Sequence, residues 1–94
     1  MKITPNLKIV KTENALLQEL EREAVLLNLD NNQYYCLDED SLRMFDVLTT
    51  SANLGVAYTI LKDEYDVTGE KLWDDLNQFI DELEKSGLIR VLDE

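Results

Sequence analysis

The stretch Val25-Leu26-Leu27-Asn28-Leu29-Asp30-Asn31-Asn32-Gln33-Tyr34-Tyr35-Cys36-Leu37 reads as one β-hairpin whose second strand is built to be left open. Val25, Leu27 and Leu29 alternate with Leu26, Asn28 and Asp30, Asn31-Asn32 interrupts, and Gln33 to Leu37 resumes with aromatic, strand-prone residues. Asn tolerates positive φ, so Asn31-Asn32 supplies a two-residue turn. The expected register then makes Asp30·Gln33, Asn28·Tyr35 and Leu26·Leu37 hydrogen-bonded pairs, with Leu29·Tyr34 and Leu27·Cys36 non-bonded. Tyr34 and Cys36 turn their main-chain groups away from the first strand, with side chains on the face of Leu27 and Leu29. Nothing later in the chain reads as a strand to pair there. Such an edge is either blunted against aggregation or used to accept a peptide strand.

Working outward, 94 residues make one domain spanning 1–94, able to bury roughly 60 to 65% of its unfolded surface. A single cysteine, Cys36, allows no internal disulfide. No apolar run approaches the about 20 residues of a membrane span, and the N-terminus lacks the long apolar region of a signal peptide. A soluble, cytoplasmic protein without membrane partners is expected.

Charge is unevenly spread. Residues 1–37 hold four bases against five acids, giving −1, and residues 38–94 hold five bases against fifteen acids, giving −10 of the total −11. A field of that sign repels phosphate backbones and attracts basic partners.

Before the hairpin, Leu7 to Thr12 reads as a first strand, and Ala15 to Glu23 suits a helical turn by propensity but a continuation of the strand system by position. After it, Asp38 has the chemistry of a helix N-cap, followed by an apolar face of Leu42, Phe45 and Leu48. Asn53 caps a second helix with Leu54, Ala57, Leu61 and Tyr65 in its stripe. Thr68 caps the third, where Leu72, Leu76, Phe79, Ile80 and Leu83 repeat on one face until Ser86-Gly87 stops it. Leu88 to Val91 reads as a short extended tail. The order is α+β, a three-stranded antiparallel sheet followed by three helices, compatible with a small winged helix-turn-helix.

Much chemistry is missing. There is no histidine, which removes the commonest general base and metal ligand. Cys36, among tyrosines and acids, reads as a structural, half-buried residue rather than a nucleophile. The three glycines are isolated and form no phosphate loop, and Asp38-Glu39-Asp40 and Asp74-Asp75 read as helix-turn or solvated acids rather than metal ligands. An enzyme is not expected, nor a cofactor or metal. One of Tyr34 and Tyr35 fills core, and Trp73 either caps the core edge or lines a groove. The third helix, with Lys71 and Lys85 at its ends and five acids between, lacks the cations of a recognition helix, which argues against nucleic acid as partner.

One set of residues resembles a known family: Leu26-Leu27-x-Leu29-Asp30-x-x-x-Tyr34-Tyr35-x-Leu37-Asp38, then Phe45-x-x-Leu48, Tyr65-Asp66-Val67, and Asp75-Leu76-x-x-Phe79-x-x-x-Leu83-x-x-x-Gly87-Leu88-Ile89. The pattern, over residues 24–89, is similar to the PqqD-like proteins, also called RiPP recognition elements. The resemblance implies a small winged helix-turn-helix that binds the leader of a ribosomally made precursor peptide. The leader adds as an antiparallel strand to strand 3, in the cleft between that strand and helix 3. Within the family the chain looks like the stand-alone leader-binding protein of lasso-peptide biosynthesis; it has Leu29-Asp30-Asn31 where PqqD itself has Tyr-Pro-Glu, which speaks against a pyrroloquinoline quinone role. Asn31-Asn32 also stands where the family usually has a Thr-Gly type of turn. A separate leader peptidase, and after it a cyclase, are the implied partners.

Transferred to this sequence, the implied peptide-binding residues are Leu27, Leu29, Gln33, Tyr34, Tyr35, Cys36 and Leu37 on the hairpin and Asp75, Leu76, Gln78, Phe79 and Glu82 on helix 3. Phe79 would grip apolar leader side chains, and Asp75 and Glu82 would meet basic ones. The opposite flank, with Trp73, Asn77, Asp81 and Glu84, is the other wall the sequence allows. The competing function is an acidic winged-helix module for protein interaction or transcription, or a PqqD-like chaperone for another peptide-modifying enzyme.

Overall fold

Three side chains start the three helices. Asp38 Oδ1 accepts from Ser41 N at 2.8 Å, Asn53 Oδ1 from Val56 N at 2.9 Å, and Thr68 Oγ1 from Lys71 N at 3.2 Å. They open α1 (Glu39–Thr50), α2 (Leu54–Glu64) and α3 (Gly69–Lys85), each cap satisfying a donor the helix cannot. The Ser41 amide on Asp38 holds that carboxyl below its usual range. The end of α3 is a Schellman turn. Gly87 takes φ 71°, its N–H donates to Glu84 O at 3.0 Å, and Leu88 N donates to Leu83 O at 3.0 Å.

The computed structural model describes residues 3–93, and its strands are β1 (Leu7–Lys11), β2 (Ala15–Leu20), β3 (Glu23–Asn28), β4 (Tyr34–Leu37) and β5 (Ile89–Asp93). They form an antiparallel sheet in the order β2-β3-β4 and a separate antiparallel pair, β1-β5. The α+β arrangement of a three-stranded antiparallel sheet and three helices is therefore the one the sequence leads to, with different strands filling it.

The Leu7 to Lys11 strand does not join the hairpin. It pairs with β5, Ile9 opposite Val91, so the expected extended tail is a sheet partner. Lys8 Nζ from this pair reaches Thr49 O at 3.2 Å and also Ser51 O, a cation on the last carbonyls of α1. The third strand is β2, where helical propensity and position competed. Its helical preference is worth at most about 0.7 kcal/mol per residue, and pairing with β3 across Ala15·Asn28 to Leu20·Glu23 overrides it. A tight turn with Glu21 at φ 46° joins the two.

The hairpin between β3 and β4 exists, but its turn is longer than two residues. Leu26 lies opposite Tyr35 and Leu27 opposite Tyr34, a shift of two from the expected pairing with Leu37 and Cys36. Asn28 is responsible. Its Nδ2 donates to Ser86 O at 3.1 Å and Gly87 O at 3.2 Å, its Oδ1 accepts from Asp30 N at 2.9 Å, and its main-chain O accepts from Asn32 N at 2.8 Å. The loop therefore opens right after Asn28, over Leu29 to Asn32, with Asn32 at φ 61° and Gln33 N on Asn31 Oδ1 at 2.9 Å. Because the slip is two residues, every side chain keeps its face.

Ala15, Ala24, Leu26 and Leu37 point to the helices and join one core with Phe45, Leu48, Leu61, Leu76, Ile80 and Leu83. Burial of each leucine, isoleucine or phenylalanine among them contributes about 1.5–3 kcal/mol. The outer face, with Leu16, Tyr34 and Cys36 exposed, has no covering layer among the described residues. No helix among them is long and apolar enough to cross a membrane.

Candidate functional site

Among the described residues β4 is hydrogen-bonded to β3 alone. Asn28 N donates to Gln33 O at 2.8 Å, which makes Asn28·Gln33 a bonded pair. By antiparallel alternation Leu26·Tyr35 and Ala24·Leu37 are bonded and Leu27·Tyr34 and Val25·Cys36 are not. The N–H and C=O of Tyr34 and Cys36 therefore face away from the sheet, and no partner meets them among the described residues. That was the expectation from sequence, and the two-residue slip leaves it intact because it preserves parity.

The edge is tied to α3 by Tyr35. Its hydroxyl donates to Glu82 Oε2 at 2.7 Å, and its ring meets Phe79 edge-on, centroids 6.1 Å apart. Glu82 is the main reason the Tyr35 hydroxyl holds its proton up to about 12, burial and the nearby negative charges adding to it. The flank of α3 beside β4 is thus the one with Phe79 and Glu82. Trp73 belongs to another neighbourhood, edge-on to Tyr58 of α2 at 5.4 Å.

The remaining residues sort by depth. Leu37 and Leu76 are fully buried and Phe79 is 7% exposed, so these three form floor rather than surface. Leu27 is half-buried on the outer face opposite Tyr34, which is 66% exposed. Leu29 sits exposed in the loop, and Gln33 is exposed beside it. Gln78 is exposed on α3, and Asp75 pairs with Lys71 one turn earlier at 3.2 Å, an open ion pair of little energetic weight. Cys36, expected half-buried, is exposed, because its side chain stands on the uncovered face of an edge strand.

Two contributors escaped the sequence reading. Asn28 fixes where the hairpin turns, and the signal for it was an amide at an inward position in line with Ala24 and Leu26. The second edge of the sheet, β2, was hidden while Ala15 to Glu23 stood undecided between helix and strand.

Comparison with known proteins follows from this geometry. A solved structure described as TbiB1 in complex with the TbiA(beta) leader peptide shares the fold at a TM-score of 0.79, with 22% identity over 86% of this chain and 94% of that one. No curated protein matches the sequence. The sequence model of the family described as coenzyme PQQ synthesis protein D (PqqD) matches residues 23–89, from the start of β3 to the start of β5, and the chain belongs to that family.

Proposed function

We propose that this protein is a non-catalytic adaptor, a RiPP recognition element, that binds the leader of a ribosomally synthesised precursor peptide as a strand added to β4 beside α3. The observation that carries this reading is the vacant row of donors and acceptors at Tyr34 and Cys36 next to the α3 flank bearing Glu82. Family membership supports it, as does a shared fold with a protein solved in complex with its leader peptide.

An antiparallel guest opposite Tyr34 and Cys36 gains strand hydrogen bonds worth about 0.5–1.5 kcal/mol each, independent of its sequence. Selectivity comes from side chains. The guest residue opposite Tyr35 points to the helix side, where Glu82 favours a basic group and Phe79 forms an apolar floor. Residues opposite Tyr34 and Cys36 lie on the outer face. Asp75 and Gln78 extend the same flank, while Trp73, engaged with Tyr58, stands outside this groove.

In this reading the leader is then presented to a separate leader peptidase, and after it to a cyclase, in lasso-peptide biosynthesis. Calorimetric titration tests the first step. A synthetic leader from the precursor encoded beside this protein's gene should bind at micromolar or better affinity, and duplex DNA at low salt should not. Binding of DNA alone would overturn the adaptor reading.

A further inference from the structure

The sheet has a second free edge. Leu29 N donates to Asn14 O at 2.9 Å, a bonded pair in the register that joins Leu16 to Leu27, so alternation turns the main-chain groups of Ala15, Leu17 and Glu19 outward. Those of Ala15 are occupied, its N–H by Thr12 O at 3.1 Å and its carbonyl by Lys11 Nζ at 2.5 Å. Those of Leu17 and Glu19 meet nothing among the described residues. Beside them lies a groove of about 830 Å³ floored by Leu17, Leu42, Phe45 and Tyr65. At β4 the corresponding position carries Tyr35, edge-on to Phe79.

The groove is acidic. Glu19, Glu39, Asp40, Asp46 and Glu64 line it against Lys11, Arg22 and Arg43. Arg43 pairs both oxygens of Glu64 at 3.0 and 2.6 Å and also Asp46, Lys11 Nζ rests on the Ala15 carbonyl, and five acids against three bases leave the lining at −2. Glu19 stands on the groove-side face of the open edge, two residues from Leu17. An antiparallel guest would therefore set one side chain beside Glu19 and, two residues later in its own sequence, another beside Leu17 over the apolar floor. A second copy of this chain is disfavoured, because it would bring the same excess of acids to both sides.

We infer that the β2 edge docks an extended segment of a partner protein carrying a basic-x-apolar pattern, leaving β4 for the leader. On the adaptor reading above that partner is the leader-processing enzyme; the edge and its groove do not rest on that reading. One sheet then holds two chains at once, one on each edge.

Selection of random short peptides displayed on phage against the intact protein, followed by titration of the enriched peptides, tests the assignment. The expected result is an enriched family with the basic-x-apolar spacing. Its affinity should fall roughly tenfold or more in Leu17→Pro and in Glu19→Lys and stay unchanged in Cys36→Pro. Glu19→Lys, at an exposed position, keeps the test decisive if the proline variant fails to fold. No enriched family, or one indifferent to Glu19→Lys, overturns the inference. So does a family lost in Cys36→Pro, although that result would favour the β4 reading. Leader binding that survives Leu17→Pro and is lost in Cys36→Pro separates the two edges, and a leader that does not bind at all bears on the adaptor reading alone.

Discussion

The Tyr35 hydroxyl donates to the Glu82 carboxylate at 2.7 Å, joining the outermost strand of the sheet to the last helix. Tyr35 is raised from 10.0 to about 12 in the folded protein. A raised folded value means the contribution to stability is whole below about pH 10 and is lost as pH climbs toward 12. Of four tyrosines, Tyr35 and Tyr65 should titrate late by ultraviolet absorbance, Tyr65 because burial and the nearby Asp40 and Glu64 raise it. Glu82→Gln should bring Tyr35 alone back toward its usual value, since the amide still accepts but carries no charge. Tyr35→Phe should lower stability by about 0.5–1.5 kcal/mol, toward the lower end at so open a site. A Tyr35 titration that ignores Glu82→Gln would place the cause elsewhere.

Asn28 and Gly87 form the other joint. A Cβ on Gly87 would lie 2.6 Å from Asn28 Nδ2, at a backbone φ of 71°. Gly87→Ala should therefore cost more than the about 1–2 kcal/mol of the left-handed conformation itself. Asn28→Ala leaves inward carbonyls without a donor and should cost about 1–3 kcal/mol. Denaturant unfolding measures both, and a loss below about 0.5 kcal/mol in either would contradict the joint.

Proline separates inward from outward amides. Cys36→Pro removes an N–H that faces away from β3, so the fold should persist by circular dichroism while leader affinity drops. Tyr35→Pro removes an N–H that bonds to Leu26 and should damage the fold itself. The opposite order would reverse the assigned edge.

Charge reversal at Asp75 and Glu82 should weaken binding of a basic leader and flatten its salt dependence, because screening then has less attraction to remove. An unaltered slope would move the contact to other acids of the chain.

The helices were legible because their information is local. Asp38, Asn53 and Thr68 cap within three residues, Leu72 to Leu83 repeat at helical spacing, and Gly87 stops α3 by its own backbone freedom. The sheet was less so. Leu7 to Lys11 and Ile89 to Asp93 pair across nearly the whole chain, and no short-range pattern announces such a partner. Ala15 to Leu20 has helix-forming residues and becomes a strand only because β3 offers six paired positions. The turn was misplaced for a tertiary reason, since Asn28 is drawn to the end of α3. The open main-chain row at Tyr34 and Cys36 survived that error because parity, not exact register, decides which groups face out.

The most direct test of the central claim is amide hydrogen exchange at Tyr34 and Cys36, measured by NMR with and without leader. In the free protein both should exchange far faster than Tyr35 and Leu37, whose N–H groups are held by β3, and saturating leader should slow them to the rate of their neighbours. Protection already present without leader, or no change at these two amides when the leader is bound, would contradict strand addition at β4.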